Sequence, residues 1–267
     1  MIIKTLLIIL VFILFIYILF TNKIENFELS MIQNPNKIGF IIPSRTIFKD
    51  KKKNIKRIQD LPIIKYLLPS FQDKCDKNGK YSYNFYVGYD HDDTFYKENK
   101  LKIIEFIKRN FNIKNLNISF IEFDKSYSGG KVAAIWSELA NIAVKNNCEY
   151  LYQLGDDIVF KDSGWENKFI TKLQENNNLG VVGPLDLNNS KLLTQSFVHK
   201  THLDIFKTYY PKEIVNIYCD DWITEVYKPN RSFILQDVKV MNSGGLSRHV
   251  IRQPQIKEMY KKIISKD

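Results

Sequence analysis

The sequence predicts an α/β fold of the Rossmann-like kind, with a mostly parallel central sheet flanked by helices. The main observation is that short apolar runs, typical of buried strands, alternate with amphipathic helical segments through the first half of the 267-residue chain. Such alternation implies parallel strands joined by crossover helices. A second observation is that 45% of the residues are apolar, which is enough for one sizeable core. A third is that polar residues follow three of the apolar runs directly.

The first half supplies its elements in a regular order. The expected elements are a strand at 37–45, a strand at 83–93, a helix at 95–111, a strand at 116–123, a helix at 131–147 and a fourth strand at 149–160. Helical spacing in the first of these helices predicts a buried face made of Leu101, Ile104, Ile107 and Phe111. Residues 47–82 are basic and irregular, and "LPIIKYLLPSF" is their one firm apolar piece.

The second half is less regular. We expect short helices at 165–177, 201–211 and 219–227, and strands at 179–184, 192–199 and 232–240. The basic residues 251–267 predict a C-terminal helix or tail. One domain is therefore expected over residues 37–250.

The N-terminus predicts a membrane anchor. Residues 5–20 form an uninterrupted apolar run of 16 residues, which Ile2 and Ile3 extend past Lys4. About 20 such residues span a bilayer. No small residues of the kind that mark a signal-peptide cleavage site precede "FTNKIENFE". We expect a transmembrane signal anchor at 1–21, a stem at 22–36 and a single-pass type II protein whose domain lies on the lumenal, ER- or Golgi-like side.

Charge and cysteines exclude two classes of function. The formal charge of +10 invites a nucleic-acid or anionic-membrane partner, but Lys, Ile and Asn are abundant throughout and the densest basic run, at 49–57, contains no aromatic residue. We expect no nucleic-acid partner. The cysteines, Cys75, Cys148 and Cys219, lack metal-binding spacing, so we expect no zinc site, whereas one disulfide stays open. His199 and His202 are expected to be structural.

Two adjacent aspartates, Asp156 and Asp157, end the apolar run in "EYLYQLGDDIVF". A solvated turn or helix cap is the plain interpretation of such a pair, but here apolar residues resume at once. Adjacent carboxylates repel each other, and a divalent cation such as Mg²⁺ or Mn²⁺ relieves the repulsion. Residues 43–45 and 90–93 also follow strands. Because ligands bind outside the carboxyl ends of parallel strands, we expect the three loops to meet in one crevice.

The order of these motifs resembles that of GT-A fold, nucleotide-sugar-dependent glycosyltransferases over roughly residues 37–245. "IGFIIPSR" resembles the first strand and nucleotide-sugar loop, and "FYVGYDHDD" resembles the second strand with its acidic end. "GGKVAAIWSELANIA" and "EYLYQLGDDIVF" resemble the helix and strand that lead to the DxD metal motif. "NIYCDDWITEVY" resembles the later acidic motif beneath the acceptor, and "THLDIF" before it is similar to little-characterised eukaryotic and large-DNA-virus members. A polymerase-type GDD site is a rival that needs a longer chain.

The resemblance implies Mn²⁺ or Mg²⁺ bound by Asp157, with Asp156 beside it. The residues expected to bind the nucleotide-sugar are Pro43, Ser44, Arg45, Asp90, Lys131 and Asp156. Lys131 opens a helix after two glycines, a position that suits a diphosphate, and a solvated lysine is the alternative. The chain departs from the family in two places. Gly155 stands where the motif has its first aspartate, and Asn242 stands where many members have a metal-binding histidine, with His249 seven residues later.

The resemblance implies that a carboxylate of the "CDDW" segment is catalytic, and an inverting enzyme needs such a general base to take the proton of the acceptor hydroxyl. Asp221 is favoured and Asp220 comes second, because capping of the following helix is an alternative role for Asp220. Trp222 is expected beside the acceptor sugar or in the core. Asp186 is expected in a loop near the acceptor.

These expectations describe a glycosyltransferase of the hexosyltransferase type, which moves a sugar from a UDP- or GDP-sugar to a hydroxyl of a glycan, protein or lipid acceptor at a membrane. The two departures from the family motifs also motivate an alternative, a catalytically inactive GT-A-like protein that binds its ligand while tethered to the membrane.

Overall fold

The structure is a computed structural model, which describes Tyr17 and residues 36–48, 50–127 and 130–244. The predicted anchor apart from Tyr17, the predicted stem up to residue 35, and residues 245–267 with His249 lie outside the described residues. The chain divides into two units, Met1–Asn36 and Lys37–Asp267, and the sheet and its helices belong to the second. None of the helices in the described ranges is long and apolar enough to cross a membrane.

The described part of the chain forms an eight-stranded sheet with helices packed on it. The strands are β1 Asn36–Pro43, β2 Tyr81–Asp90, β3 Leu116–Phe123, β4 Tyr150–Gln153, β5 Ile158–Phe160, β6 Val181–Asp186, β7 Ser196–His199 and β8 Ser232–Asn242. The α-helices are α1 Leu68–Lys74, α2 Thr94–Asn110, α3 Val132–Lys145, α4 Trp165–Gln174, α5 Thr201–Phe206 and α6 Cys219–Glu225. Shorter helical turns lie at Lys51–Lys53, Ile58–Asp60, Ile63–Leu67 and Lys125–Tyr127.

The strand order in the sheet is β3-β2-β1-β4-β7-β6-β8-β5. The pairs β2–β3, β1–β4 and β6–β8 run parallel. The pairs β4–β7, β6–β7 and β5–β8 run antiparallel. The α/β class is therefore confirmed, and the parallel pairing of strands from the first half agrees with the alternation of strands and helices there.

Strand β1 divides the apolar side chains between two cores. Ile38, Phe40 and Ile42 belong to the core that also holds side chains of α1, α2 and α4. Ile41 belongs to the other core, with side chains of α3 and α6. This division follows from the alternation of side chains along a strand. Helices therefore cover both faces of the sheet, and the polar loops at the strand ends are left at its edge.

The segment predicted as one strand at 149–160 is two strands. In the sheet, β4 lies between β1 and β7, whereas β5 lies at the edge beside β8. The N–H of Leu154 still donates to the carbonyl of Ile41 at 3.4 Å, and the chain then leaves the sheet. Two adjacent carboxylates are costly to bury inside a strand with covered faces, so Asp156 and Asp157 fall in the connection.

The predicted buried face of α2 is wrong at Leu101, which is 71% exposed. The buried side chains of this helix are Tyr96, Ile103 and Ile107, spaced seven and four residues apart as on one helical face. The observed face thus keeps Ile107 of the prediction and gains Tyr96 from the first turn. Residues 47–82, predicted to be irregular, contain α1.

The cysteines and histidines have structural surroundings. Cys75, Cys148 and Cys219 are buried with free thiols, so no disulfide joins them. The ring of His202 is buried, with Nδ1 at 2.8 Å from the hydroxyl of Tyr227 and Nε2 at 2.9 Å from a backbone carbonyl. Burial lowers the pKa of His202 to about 4, so the ring is neutral at pH 7. The structural role expected for this histidine is therefore confirmed.

A buried carboxyl group gives the fold a testable dependence on pH. The side chain of Glu166, at the start of α4, is 1% exposed and its Oε1 accepts from the hydroxyl of Tyr83 at 2.7 Å and the N–H of Asp76 at 2.8 Å. Burial raises the pKa of Glu166. Since the folded protein then holds its proton to higher pH than the unfolded chain, this group lowers stability as pH rises above its unfolded pKa.

Glu166→Gln is therefore expected to stabilise the protein above neutral pH relative to pH 4. Glutamine keeps an oxygen for both hydrogen bonds and removes the ionisation. Thermal unfolding midpoints of the two proteins, measured between pH 4 and 8, check this. A difference between them that does not grow with pH would contradict it.

Candidate functional site

The loops after β1, β2 and β4 meet at the carboxyl edge of the sheet, as the sequence predicted. The hydroxyl of Ser44 donates a short hydrogen bond to Oδ2 of Asp156 and lies 2.6 Å from the hydroxyl of Tyr96. Ser44 and Asp156 are each 1% exposed. The N–H of Ser44 donates to the carbonyl of Gly88 in β2 at 2.8 Å. One serine thus joins the strand-end loops of β1 and β4 and the first turn of α2.

Arg45 joins the same β1 loop to the acidic end of β2. Its Nη1 donates a short hydrogen bond to Oδ2 of Asp90, and its two Nη atoms bond both carboxylate oxygens of Asp92, at 3.1 and 3.0 Å. The hydrogen bond from Arg45 is the main cause that lowers the pKa of Asp92. Asp90 is 5% exposed. The guanidinium therefore holds two carboxylates in a fixed orientation at the carboxyl edge of the sheet.

Asp93 joins the β1 loop to the first turn of α2. Its carboxylate accepts from the N–H and the hydroxyl of Thr46, both at 2.6 Å, and caps α2 by accepting from the N–H of Tyr96 at 3.3 Å. Asp93 is fully buried. Side-chain caps of this kind satisfy N–H groups that a helix leaves unpaired. The cap therefore fixes the β1 loop against α2.

Asp157 is partly exposed and lies between two glycines. A Cβ atom built on Gly244 would lie 1.6 Å from Oδ2 of Asp157, and one built on Gly155 would lie 2.8 Å from Oδ1. The N–H of Ser243 donates to the backbone carbonyl of Asp157 at 3.0 Å. A side chain at position 155 would therefore require the carboxylate of Asp157 to shift.

The carboxylates partly fit a divalent cation. In the part of the chain that the structure describes, no three His, Cys, Asp or Glu side chains are grouped closely enough to hold a metal ion. The carboxylate of Asp156 is buried and accepts from Ser44, whereas Asp157 is partly exposed. The side-chain oxygen of Asn242 accepts from the N–H of Gly244 at 3.2 Å. Mg²⁺ commonly takes one or two carboxylates and completes its shell with phosphate oxygens and water, so Asp157 suits such a site.

Hydrogen bonds connect Asp157 to a second acidic group. The side-chain amide of Asn188 donates to the carbonyl of Asn242 at 2.7 Å, and the N–H of the same peptide group, that of Ser243, donates to the backbone carbonyl of Asp157. The backbone N–H of Asn188 donates to Oδ1 of Asp186 at 2.9 Å. Oδ2 of Asp186 accepts from the hydroxyl of Thr194 at 2.6 Å. Asp186, 3% exposed, is therefore held rigidly beside the ends of β6 and β8.

Asp220 and Asp221 lie in the first turn of α6. Burial, together with the smaller effects of the charges of Asp221 and Asp186, raises the pKa of Asp220 to about 7. The hydroxyl of Thr224 donates to the carbonyl of Asp220 at 2.6 Å and anchors this turn. Tyr218, just before the helix, has a left-handed φ of 72°, a conformation that is uncommon for a bulky residue and that clusters at functional sites. The pair is thus partly buried, like-charged and fixed.

Trp222 lies in the core of the fold, and Lys131 lies on its surface. Trp222 is fully buried and packs at ring-centroid distances of 5.3 Å from Phe206 and 6.0 Å from Tyr210. The expectation that Trp222 contacts an acceptor is therefore wrong, and its core alternative is observed. The ammonium of Lys131 donates to the carbonyl of Ser126 at 2.6 Å on the surface. No hydrogen bond among the described residues joins Lys131 to the crevice.

Several residues of the crevice were missed by reasoning from the sequence. Tyr96, Asn188 and Thr194 each bond a carboxylate or its partner, but none belongs to a motif that the sequence marks. Thr46 and Asp93 lie within or next to the strand-end loops, so their position was the available signal. Their hydrogen-bond roles depend on the register in which the loops meet, which single-sequence patterns do not encode.

Comparison with solved structures supports the fold class. The fold is similar to the crystal structure of S. aureus TarS, with 15% sequence identity and a TM-score of 0.54 over 86% of this chain and 39% of that chain. It is also similar to the crystal structure of S. aureus TarS 1-349 in complex with UDP-GlcNAc, with 15% identity and a TM-score of 0.53 over 86% of this chain and 65% of that one. The chain thus spans less than two thirds of the length of either.

At this level of identity the similarity shows the fold alone. No protein-family model matches the sequence, and no curated protein is similar to it in sequence. What the comparisons support is therefore an α/β fold like that of TarS, in agreement with the GT-A fold class expected from the sequence.

Proposed function

We propose that this chain is a metal-dependent glycosyltransferase that moves a sugar from a nucleotide-diphosphate sugar to an acceptor hydroxyl. The observation that carries the proposal is the meeting of three strand-end loops through Ser44, Arg45 and Asp156, at the edge of the sheet where α/β folds bind ligands. The similarity in fold to TarS, which has been crystallised with UDP-GlcNAc, supports the choice of ligand class.

The proposed roles follow from the contacts. Asp90 and Asp156, held by Arg45 and Ser44, orient the nucleoside. Asp157 is the residue that would hold Mn²⁺ or Mg²⁺, and the ion would supply positive charge to the departing diphosphate. Phosphate oxygens and water would complete its shell.

Asp220 is the proposed general base. It takes the proton of the acceptor hydroxyl while the hydroxyl oxygen bonds to the anomeric carbon and the bond from that carbon to the phosphate oxygen breaks. A base works best when its pKa lies near the working pH, and burial raises the pKa of Asp220 to about 7. The sequence favoured Asp221, and this pKa reverses the order. Asp221 and Asp186 then act on Asp220 as neighbouring charges.

We also propose, from the apolar run at 5–20, that the enzyme is membrane-anchored with its domain on the lumenal side, where a glycan, protein or lipid acceptor is met. Whether the sugar carrier is a UDP- or a GDP-sugar is decided by assay rather than by fold.

The experiment is a screen of the purified full-length protein in detergent against UDP- and GDP-sugars with Mn²⁺, with and without a chelator. Release of the nucleoside diphosphate that stops on chelation is the expected result. Saturable binding without turnover favours instead the inactive binding protein, which Gly155 in place of the first aspartate and Asn242 in place of the histidine motivate. Neither binding nor turnover by the folded protein would contradict both.

A further inference from the structure

The buried hydroxyl of Tyr96 forms a hydrogen bond with Ser44 of the β1 loop. Tyr96 belongs to the first turn of α2 and is fully buried. Its ring stacks on that of Tyr89 with 5.3 Å between centroids and lies 5.5 Å from that of Phe120. The ring therefore has one well-defined position, from which the hydroxyl reaches Ser44 at 2.6 Å.

The direction of this hydrogen bond follows from proton counting. The hydroxyl of Ser44 carries one proton, and that proton is donated to the carboxylate of Asp156, which in its ionised form only accepts. Ser44 must then accept from Tyr96. The result is a directed chain from Tyr96 through Ser44 to Asp156. Successive hydrogen bonds of this kind polarise and strengthen one another in a buried site.

A second set of hydrogen bonds holds α2 and the β1 loop together beside this hydrogen-bond chain. Asp93 bonds the N–H of Tyr96 and also both the N–H and the hydroxyl of Thr46. The first turn of α2 therefore holds the β1 loop at two points, once through the Tyr96 side chain and once through Asp93. The Tyr96 hydroxyl thus contacts the Ser44 side chain directly, and Asp93 anchors the backbone of the same loop two residues later.

We infer that Tyr96 is a positioning residue that fixes the carboxylate of Asp156 for the nucleotide-sugar, and that it acts through the hydroxyl of Ser44. This inference rests on the proposed function. Tyr96 itself is fully buried and touches no ligand in this account. Its effect must therefore appear in binding, and it must depend on the presence of Ser44.

The test compares Tyr96→Phe with Tyr89→Phe in the full-length protein. Both changes remove one phenol hydroxyl from the same stacked pair, but the hydroxyl of Tyr89 bonds Glu122 at 3.5 Å and not Ser44. Tyr96→Phe removes a buried hydrogen-bond donor and leaves its acceptor, Ser44, in place. We therefore expect Tyr96→Phe to bind the nucleotide-sugar about 5- to 30-fold more weakly. The rise is expected in KM, with kcat changed less than threefold, and Tyr89→Phe is expected to bind like the wild type.

A double-mutant cycle with Ser44→Ala tests the route. If Tyr96 acts through Ser44, Ser44→Ala with Tyr96→Phe binds the nucleotide-sugar as weakly as Ser44→Ala alone. Losses that multiply in the double variant, or a Tyr96→Phe protein that binds like the wild type, would overturn the inference while leaving the proposed function intact. A wild-type protein that binds no nucleotide-sugar would overturn both.

Discussion

Asp220→Asn is expected to lower kcat by about 10²- to 10⁴-fold, the range that a general base contributes. The asparagine keeps the shape of the side chain and loses the ability to take the acceptor proton. The wild-type rate is expected to rise with pH through an apparent pKa near 7, because burial raises the pKa of Asp220 to about that value. In the variant this rise disappears. The measurement is the pH dependence of kcat between pH 5 and 9.

Asp221→Asn is the matched variant for this test. The charge of Asp221 helps to raise the pKa of Asp220, so its removal is expected to move the rise in rate to lower pH while most of kcat at pH 8 remains. The two aspartates are coupled, so the apparent value belongs to the pair. The reverse result, with Asp221→Asn inactive and Asp220→Asn active, would return the role of base to Asp221.

Asp220→Asn should also stabilise the fold. The folded pKa of Asp220, about 7, lies above the pKa of 3.8 that an aspartate ordinarily has, so its ionisation lowers stability as pH rises between these values. Asp220→Asn is therefore expected to raise the free energy of unfolding at pH 8 by roughly 1–3 kcal/mol. Solvent screens part of the charge effect, because the group is partly exposed. Higher stability with lost activity is the pattern expected of a strained active-site group.

Asp157→Asn is expected to lower turnover by at least about 10²-fold, because a bound metal supplies several kcal/mol of charge stabilisation to the transition state. The concentration of Mn²⁺ that gives half-maximal activity should rise as well. The change is isosteric and Asp157 fits closely between Gly155 and Gly244, so the fold is expected to persist. Initial rates across a Mn²⁺ titration, together with a thermal unfolding curve, are the measurement.

Asp237→Asn serves as the control for this change. Asp237 is an exposed carboxylate paired with Lys168 at 2.8 Å, and it lies outside the crevice contacts. It should retain wild-type activity. Equal activity of Asp157→Asn and Asp237→Asn would show that the carboxylate of Asp157 does not hold the metal.

The sequence was most informative where hydrophobic periodicity decides the structure. The strand predicted at 116–123 has the bounds of β3, and the helix predicted at 131–147 contains α3, since both have strong apolar patterns. The convergence of the strand-end loops followed from the rule on parallel sheets alone. These features depend on local pattern and on topology, both of which a single sequence carries.

The misses have a common physical cause. The split of the fourth strand arises because Asp156 and Asp157 leave the sheet, and a short "IVF" run then pairs with a strand far along the chain. The sequence around Trp222 looks the same whether the ring lies in a core or beside a sugar. Tertiary packing decides between these two positions. Tyr96 gained its role from a contact with a residue 52 positions away. Long-range pairing of this kind is not written in local periodicity.

The most direct test of the account is equilibrium binding of nucleotide-sugars to the full-length protein in Mn²⁺, measured by calorimetry with UDP-GlcNAc and a GDP-sugar. The central claim is that the crevice built by Ser44, Arg45 and Asp156 is a nucleotide-sugar site. We predict saturable binding of one ligand per chain, weakened by chelator and by Ser44→Ala. Absence of saturable binding by the folded protein, or binding that Ser44→Ala leaves unchanged, would contradict the claim.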